Sequence, residues 1–448
     1  MPERLKKILK ATEGQFGERI AAMERAQRYY ENRGLICRTG AAAISEVNGY
    51  LKKLGKNPLH SADNRISTNW HRIITDQKAG YICSYPPQID VFGDGETAKA
   101  VNKALGEDWG RVLKALCIDA TNFGVGWLAY WYDGEQPFGF WKVDPMQIRA
   151  VYDTEQIKPK LVELVRMVNS DDWTVYELWD AQKVTYYRAD KAGNIVIDEA
   201  MGENGVIEHS YGEIPFIPFY NNGEASGDLE MYRSIIDAID KLISGFANDI
   251  DDMQEIIWVI KNYAGEFSGT DYDKDGNEIP REIDLLRKIK ARKLINVEGD
   301  GGVDTLRSEI PYEARGRFLD ILMRQLYISA MAVDPFPKAI GQASGVYIDF
   351  LYSLLELKAG MTETEFRPAV NSLCRAIMKW LKVPQRDVEQ VWIRNKPRDA
   401  LETVEVMAKT PEGVISQETM TKAHPLTENW QAERERIEKQ EVSNNAEI

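Results

Sequence analysis

The chain has 448 residues, 44% of them hydrophobic and 28% charged, with a formal net charge of −14 and a pI near 5.1. That length suffices for two to four domains around large cores. The acidic balance argues against tight nonspecific DNA binding, which needs Lys and Arg to displace counterions, and no run of 18 apolar residues is present to span a membrane.

The first segment, residues 1–58, reads as helical and polar: LKKILKATEGQFGERIAAMERAQRYYE has helical spacing and many charges, and KNPL closes it. The N-terminus carries no apolar signal core, so an intracellular protein, or one used inside a particle, is expected. Residues 61–83 open with Ser and Asp as caps and continue as a helix until Pro86–Pro87. A short strand over Gln88–Phe92 and two helices over residues 97–123 follow. From 125 to 220 the period changes to two, in aromatic and β-branched runs such as WLAYWYDG, WTVYELWD and KVTYYRAD separated by turn signals, which predicts an antiparallel sheet region. IPFIPFYNN closes it, its two prolines suiting an edge strand.

The second half is organised as a bracket. Residues 226–263 read as one long helix, with Ile239, Phe246, Met253 and Ile260 recurring every seven residues. About fifty residues of different character follow, and a second helix is expected over Pro311–Met331. VDPFPKAIGQASG is a Pro/Gly loop. A third long helix is expected from Val346 to Leu381, bent at Gly360 and Pro368. VEQVWIRNKP reads as a strand, and the tail from Arg398 as short helices with turns at Pro411–Gly413 and Pro425.

Several motifs compete with plainer readings. Asp271, Asp273, Asp275, Gly276 and Glu282 fit the EF-hand expression, and Glu282 stands at its twelfth position. Glu278 replaces the aliphatic residue of the eighth position, Pro280 stands where a helix should begin, and there is no second loop. A hairpin with Lys274-Asp275-Gly276-Asn277 at its tip is the preferred reading. Gly124-Val-Gly126 loosely resembles a dinucleotide fingerprint but leads into strands rather than a helix. Walker A, HExxH and GxSxG patterns are absent, as is any CxxC pair among Cys37, Cys83, Cys117 and Cys374, so neither an enzyme nor a zinc site is expected. The long helix is acidic. Its Asp237, Asp240, Asp249, Asp252 and Glu255 read either as a solvated face or as the lining of a passage for a polyanion. Arg287, Lys288, Lys290, Arg292 and Lys293 form the one basic run, placed to meet phosphate or an acidic partner.

This order of elements resembles the portal proteins of tailed bacteriophages, specifically the family typical of long-tailed phages of Gram-positive hosts. The matching stretches are ADNRISTNWHRIITDQKAGYICSYPP, DAIDKLISGFANDIDDMQEIIWVIKNY, KLINVEGDGGVDTLRSEIPYEARGRFLDIL and IGQASGVYIDFLYSLLELKAGMTETEFRPAV, with VWIRNKP and GVISQETM in the tail. They are spread over most of the chain, and their joint order is more specific than any one of them.

The resemblance implies an α+β, mainly helical fold: an α/β wing over 1–225, stem helices over 226–263 and 311–332, and a small α/β clip over 264–310. It further implies a tunnel loop over 333–345, a long kinked inner-wing helix over 346–383 and a helical crown and tail over 384–448, assembled as a ring of about twelve subunits, or about thirteen when isolated. It implies no catalysis and no cofactor, and a place at the portal vertex of the virion, with assembly in the host cytoplasm. The implied partners are further copies of the chain, the terminase large subunit, head-completion or adaptor proteins, major capsid and scaffolding proteins, and double-stranded DNA passing without sequence preference. No membrane is involved. On this reading Lys338 and the acidic helix residues face DNA in the channel, and the basic run lies in the clip. A calcium-binding interaction protein built on residues 271–282 is the alternative. A hydrolase with paired carboxylates is a third reading, with no pair placed.

Overall fold

In a computed structural model the described residues are 2–38, 63–132, 137–153, 159–170, 172–252, 257–263, 270–272, 278–280, 297–306, 312–335, 345–395, 400–411, 413–423, 433–434 and 436–437. The chain forms two compact units: residues 1–33, 69–236 and 324–448 make the first, and 34–68 with 237–323 the second.

The core of the first unit forms where period-two strands meet period-3.6 helices. Helix α1 (Pro2–Tyr30) is followed in chain order by α2 (Leu35–Arg38), which belongs to the second unit, and α3 (Trp70–Cys83). The helix expected from residue 61 therefore starts nine residues later. Strand β1 (Gln88–Val91), α4 (Gly95–Leu105) and α5 (Asp108–Phe123) come next. Asp94 caps α4, its carboxylate accepting from the Thr97 amide at 3.0 Å and the Thr97 hydroxyl at 2.8 Å. Gly124 ends α5 in a left-handed conformation (φ 83°), its N–H donating to the Ala120 carbonyl.

The aromatic region forms two antiparallel sheets rather than one. Strands β2 (Val125–Trp131), β3 (Gly139–Val143) and β10 (Phe216–Tyr220) make a three-stranded sheet in the order β10-β2-β3, with Pro218 on the edge strand. Strands β4 (Ile148–Asp153), β5 (Lys160–Asn169), β6 (Thr174–Trp179), β7 (Lys183–Ala189) and β8 (Ile195–Ile197) pair in sequence, and β9 (Val206–Glu208) pairs with β7. The continuous apolar run of β2 is explained by burial on both faces. Val125, Trp127 and Ala129 enter a core shared with Met23 of α1, Ile148 and Phe216. Leu128 and Tyr130, on the opposite pleat, enter the largest core, with α3, α4, α5 and the long helix α8 (Gly345–Trp380). Gly126 is required there: a Cβ would stand 2.7 Å from the Leu116 carbonyl oxygen of α5. The two glycines that loosely suggested a nucleotide fingerprint are thus a helix cap and a close helix–strand contact. Strand β15 (Val388–Val391) pairs with β1, and helix α9 (Ala400–Lys409) and a last short helix, Gln417–Ala423, follow.

In the second half the single helix expected over 226–263 is not observed. Leu229–Met231 is a 3-10 turn, α6 spans Arg233–Asp252, and Ile257–Tyr263 is strand β11. The residues WVIKNY are β-branched and aromatic at a two-residue repeat as well as apolar at a seven-residue one, and pairing with β14 (Val297–Leu306) decides between the two. The returning helix α7 spans Tyr312–Ala330. Between β11 and β14 lie β12 (Thr270–Tyr272) and β13 (Glu278–Pro280), paired antiparallel from Thr270↔Pro280 to Tyr272↔Glu278. Among the described residues no helix is long and apolar enough to cross a membrane.

Candidate functional site

The bracket begins and ends in short-range order that the sequence dictates. In the second unit the irregular strap 63–68 is bound along α6. The Thr68 amide (2.9 Å) and hydroxyl (2.5 Å) donate to Asp240, the Ile66 amide donates to the Ser244 hydroxyl at 2.9 Å, and the Asn64 amide donates to the Asn248 side-chain carbonyl at 2.6 Å. The Asn64 side-chain amide adds a bond to Asp251 at 2.6 Å. Alternate strap residues therefore meet helix residues four apart, running the opposite way. Four helical residues rise ~6 Å and two residues of near-extended chain ~6.6 Å, so the two periods match without strain. The helix side chains supply the partners that the strap's backbone would otherwise find in a sheet.

This corrects one expectation directly. Asp240 is fully buried (0% exposed) beneath the strap, so it faces neither solvent nor a channel. Burial pushes its carboxyl above the usual carboxylate range, against the lowering effect of the Thr68 bonds. Asp237 and Asp249 are half-buried, and Asp249 pairs with Arg315 of α7 at 2.5 Å, with the same guanidinium 5.7 Å from the Phe246 ring. Arg315, which sequence alone cannot assign to a channel or a neighbour, thus has a partner in its own chain. The side chain of Asp252 lies outside the described residues. So do Glu255, Lys338, Arg287, Lys288, Lys290, Arg292, Lys293, Asp273, Asp275 and Glu282, and of Asp271 only the backbone is described.

Beyond α6 the outgoing and returning chains close on each other. Ile257 pairs with Leu306, and the ladder continues through Lys261↔Gly302 to Tyr263↔Val297 with one register irregularity. The bracketed module is therefore held by a two-stranded ribbon. At residues 271–282 the flanking segments are strands paired with each other, with Pro280 inside β13, whereas an EF-hand loop is flanked by helices. Among the described residues no group of three or more His, Cys, Asp or Glu is placed to hold a metal ion.

In the first unit the two ends of the bracket meet a buried ionic knot. Asp228 precedes α6 and Ala330 ends α7. Lys358 of α8 donates to Asp228 at 2.6 Å and to the Ala330 carbonyl at 2.7 Å. Lys78 of α3 donates to Asn221 at 2.5 Å and to Asp228 at 3.3 Å, and the Asn221 amide donates to Asp228 at 2.7 Å. Every one of these side chains is buried. Burial alone would raise the Asp228 carboxyl, but Lys358, Lys78 and Asn221 outweigh it and hold it well below the carboxylate range. Burial lowers Lys358, and Asp228 opposes that. Beside the knot the His71 Nδ1 and the Tyr232 hydroxyl share a hydrogen bond of 2.9 Å, and burial pushes His71 down to about 4, so the ring is neutral at pH 7. Immediately before Lys78, Gln77 makes two bonds of 2.9 Å to the backbone N–H and C=O of Val333, where the Pro/Gly loop begins.

Sequence reading passed over this knot. Its signal is two lysines on helices, each in a Lys-Ala-Gly triplet, Lys78-Ala79-Gly80 and Lys358-Ala359-Gly360. A lysine buried in a helix needs a carboxylate to compensate its charge.

Comparison with known proteins gives a consistent result. The portal protein of Clostridium phage phiCD119 is 32% identical over 424 residues, covering 90% of this chain and 89% of that one. The portal protein of Bacillus phage SPP1 is 28% identical over 400 residues, covering 84% and 76%. Among solved structures, the neck of a native gene transfer agent particle computed with C12 symmetry matches at TM-score 0.42 and 12% identity over 84% of this chain and 92% of that one. A chain of the native gene transfer agent virion matches at TM-score 0.44 and 12% identity over 87% and 97%. The model of the family described as phage portal protein, SPP1 Gp6-like, matches residues 10–447, and the chain belongs to that family of structural proteins.

Proposed function

We propose that the chain forms a ring-shaped channel at one capsid vertex, through which genomic DNA is packaged by a docked terminase and later ejected. The bracket carries this reading. The chain leaves through α6, builds a small strand module on a closed ribbon, and returns through α7 to a buried knot. Such a construction ties both chain ends of a small module. The module 264–310 is the docking point for the terminase large subunit and then for head-completion proteins, with the basic run Arg287, Lys288, Lys290, Arg292 and Lys293 meeting an acidic partner surface. Major capsid and scaffolding proteins are the further partners, assembly takes place in the host cytoplasm, and the finished ring resides in the virion.

On this reading the passage is walled by Asp237, Asp249, Asp252 and Glu255, with Lys338 in the loop 333–345 meeting phosphates. An acidic wall repels a polyanion everywhere, so the DNA meets no deep well in which to stick. Asp240 drops out of that wall. Asp249 contributes less than its charge because Arg315 partly neutralises it.

The test is mass photometry of the purified protein, with negative-stain images. A species near twelve or thirteen times 51.0 kDa, with a central hole, is expected. A protein that stays monomeric even when co-produced with its scaffold and capsid partners would overturn the proposal.

A further inference from the structure

Helix α8 is apolar on two nearly opposite faces. Leu355, Ala359 and Phe366 point into the core and are at most 1% exposed. Phe350, Leu354, Leu357 and Met361, spaced i, i+4, i+7 and i+11, form a second stripe and are 72%, 36%, 62% and 50% exposed. At 100° per residue the stripe lies roughly 150° around the helix from the core face. The stripe ends where Thr364 and Glu365 would continue it. It adjoins an open groove of about 940 Å³ walled by Tyr81, Tyr352, Leu357 and Trp392, with Glu356 and Arg394 across it. Side-chain bonds tie the groove's walls: Tyr81 donates to Glu356 at 2.6 Å, and Arg394 donates to Glu356 at 3.1 Å and to Glu363 at 2.5 Å.

We infer that this stripe and groove form a seam covered by a second copy of the chain. The inference rests on the ring reading above and names the surface that closes the ring. Three observations favour a copy of the chain as occupant. A helix apolar on both sides is a buried helix, and among the described residues α8 is covered on one side only. The four stripe residues expose roughly 400 Å² of apolar surface, about half of the ~800 Å² that each side of a stable interface buries, and the groove adds to it. Each copy carries a net charge of −14, so copies repel, and the four stripe side chains are uncharged; the charges beside them are Asp349, Glu356 and Arg394 of the groove, of which Glu356 and Arg394 pair with each other. A ring contact is head-to-tail, so the stripe meets a different surface of its neighbour.

The experiment pairs a double variant with a photo-cross-linker, both in the full chain. Phe350→Ser with Leu357→Glu is expected to lower the ring population at least tenfold in mass photometry. Its melting temperature as a single chain should not change, because both side chains are exposed. Val196→Glu, 58% exposed on β8, is the control and keeps the ring. Benzoylphenylalanine at position 357 is expected to give cross-links between copies, mapped by mass spectrometry to a peptide of this same chain. Rings that persist in the double variant, or cross-links confined to one chain or made to a different protein, overturn the seam and leave the ring standing. Cross-links between copies without a ring in the parent protein refute the ring and keep the surface as a contact between copies.

Discussion

Replacing Asp228 by Asn removes the one carboxylate that Lys78 and Lys358 share while keeping the shape of the side chain. Both lysine nitrogens are then buried without a counter-ion, left with neutral acceptors only: Asn221, the Ala330 carbonyl and the single amide oxygen kept at position 228. Breaking a buried ion pair from one side typically costs 3–5 kcal/mol, because the surviving charge stays buried and unpaired. A loss of about 4 kcal/mol lowers the folded-to-unfolded ratio about a thousandfold. Urea unfolding followed by tryptophan fluorescence is the assay, read on the transition of the first unit. The pH dependence gives an independent check. The folded carboxyl lies below its unfolded value, so its contribution is complete above about pH 4 and is lost as pH falls through the folded pKa. The deficit of the variant is therefore constant from pH 5 to 8 and shrinks in acid. It also shrinks in alkali, because Lys358, already lowered by burial, loses its proton in the folded state before it does so in the unfolded chain. The double variant Asp228→Leu with Lys358→Met removes both sides and should cost clearly less than Asp228→Asn. A single variant within about 1 kcal/mol of the parent, or a double variant as damaging as the single, refutes the knot as a mutually dependent unit.

The remaining expectations concern other parts of the chain. Asp240→Ala strips the acceptor from the Thr68 amide and hydroxyl and should cost about 1–3 kcal/mol with faster exchange of the Thr68 amide, whereas Asp240→Asn, which keeps an acceptor oxygen, should stay within about 1 kcal/mol of the parent. Burial pushes Asp119 up to about 6 against its 2.6 Å pair with Lys142, so carbon-detected NMR should find its midpoint there and move it higher in Lys142→Met. Because that folded pKa is raised, the group adds stability as pH falls from above 6 towards 4, and the slope should vanish in Asp119→Asn. Gly124→Ala places a Cβ against the Ala225 carbonyl at a positive φ and should lower the melting temperature by several degrees or prevent folding. Calcium at millimolar concentration should leave the melting temperature unchanged, since residues 271–282 are read as a hairpin; a rise of several degrees would restore the calcium reading.

Much of the first unit is legible because each element is announced by its own chemistry. The switch to period two at Val125, the proline of Phe216–Tyr220 and the helical apolar spacing of Gly345–Trp380 each point to one element type. The division into two sheets is not legible, because the turn signals that separate strands look alike whether or not the next strand continues the same sheet. The end of α6 at Asp252 is missed for a sharper reason. Ile257 and Ile260 satisfy a helical stripe and a strand equally well, and only pairing with Leu306 and Val303, over forty residues away, decides between them. Acidity is likewise ambiguous. The sequence shows carboxylates on α6, but Asp240 is buried by the amide and hydroxyl of Thr68, whose own letters suggest no such partner.

The buried knot ties the two chain ends of the bracket to each other within the first unit. Here Asp228 before α6 and Ala330 at the end of α7 are both tied to Lys358, so the departing and returning chains share one side chain of α8. Val333 is bonded at both backbone groups to Gln77, next to the other lysine. The Pro/Gly loop therefore starts from a fixed point and feeds into the helix that carries Lys358. Substituting Gln77 by Ala frees both backbone groups of Val333 without touching the ionic cluster. It should speed exchange of the Val333 amide at least tenfold and leave the Asp228 contribution intact. Unchanged protection at Val333 would mean that the loop is anchored by packing alone, with Gln77 incidental.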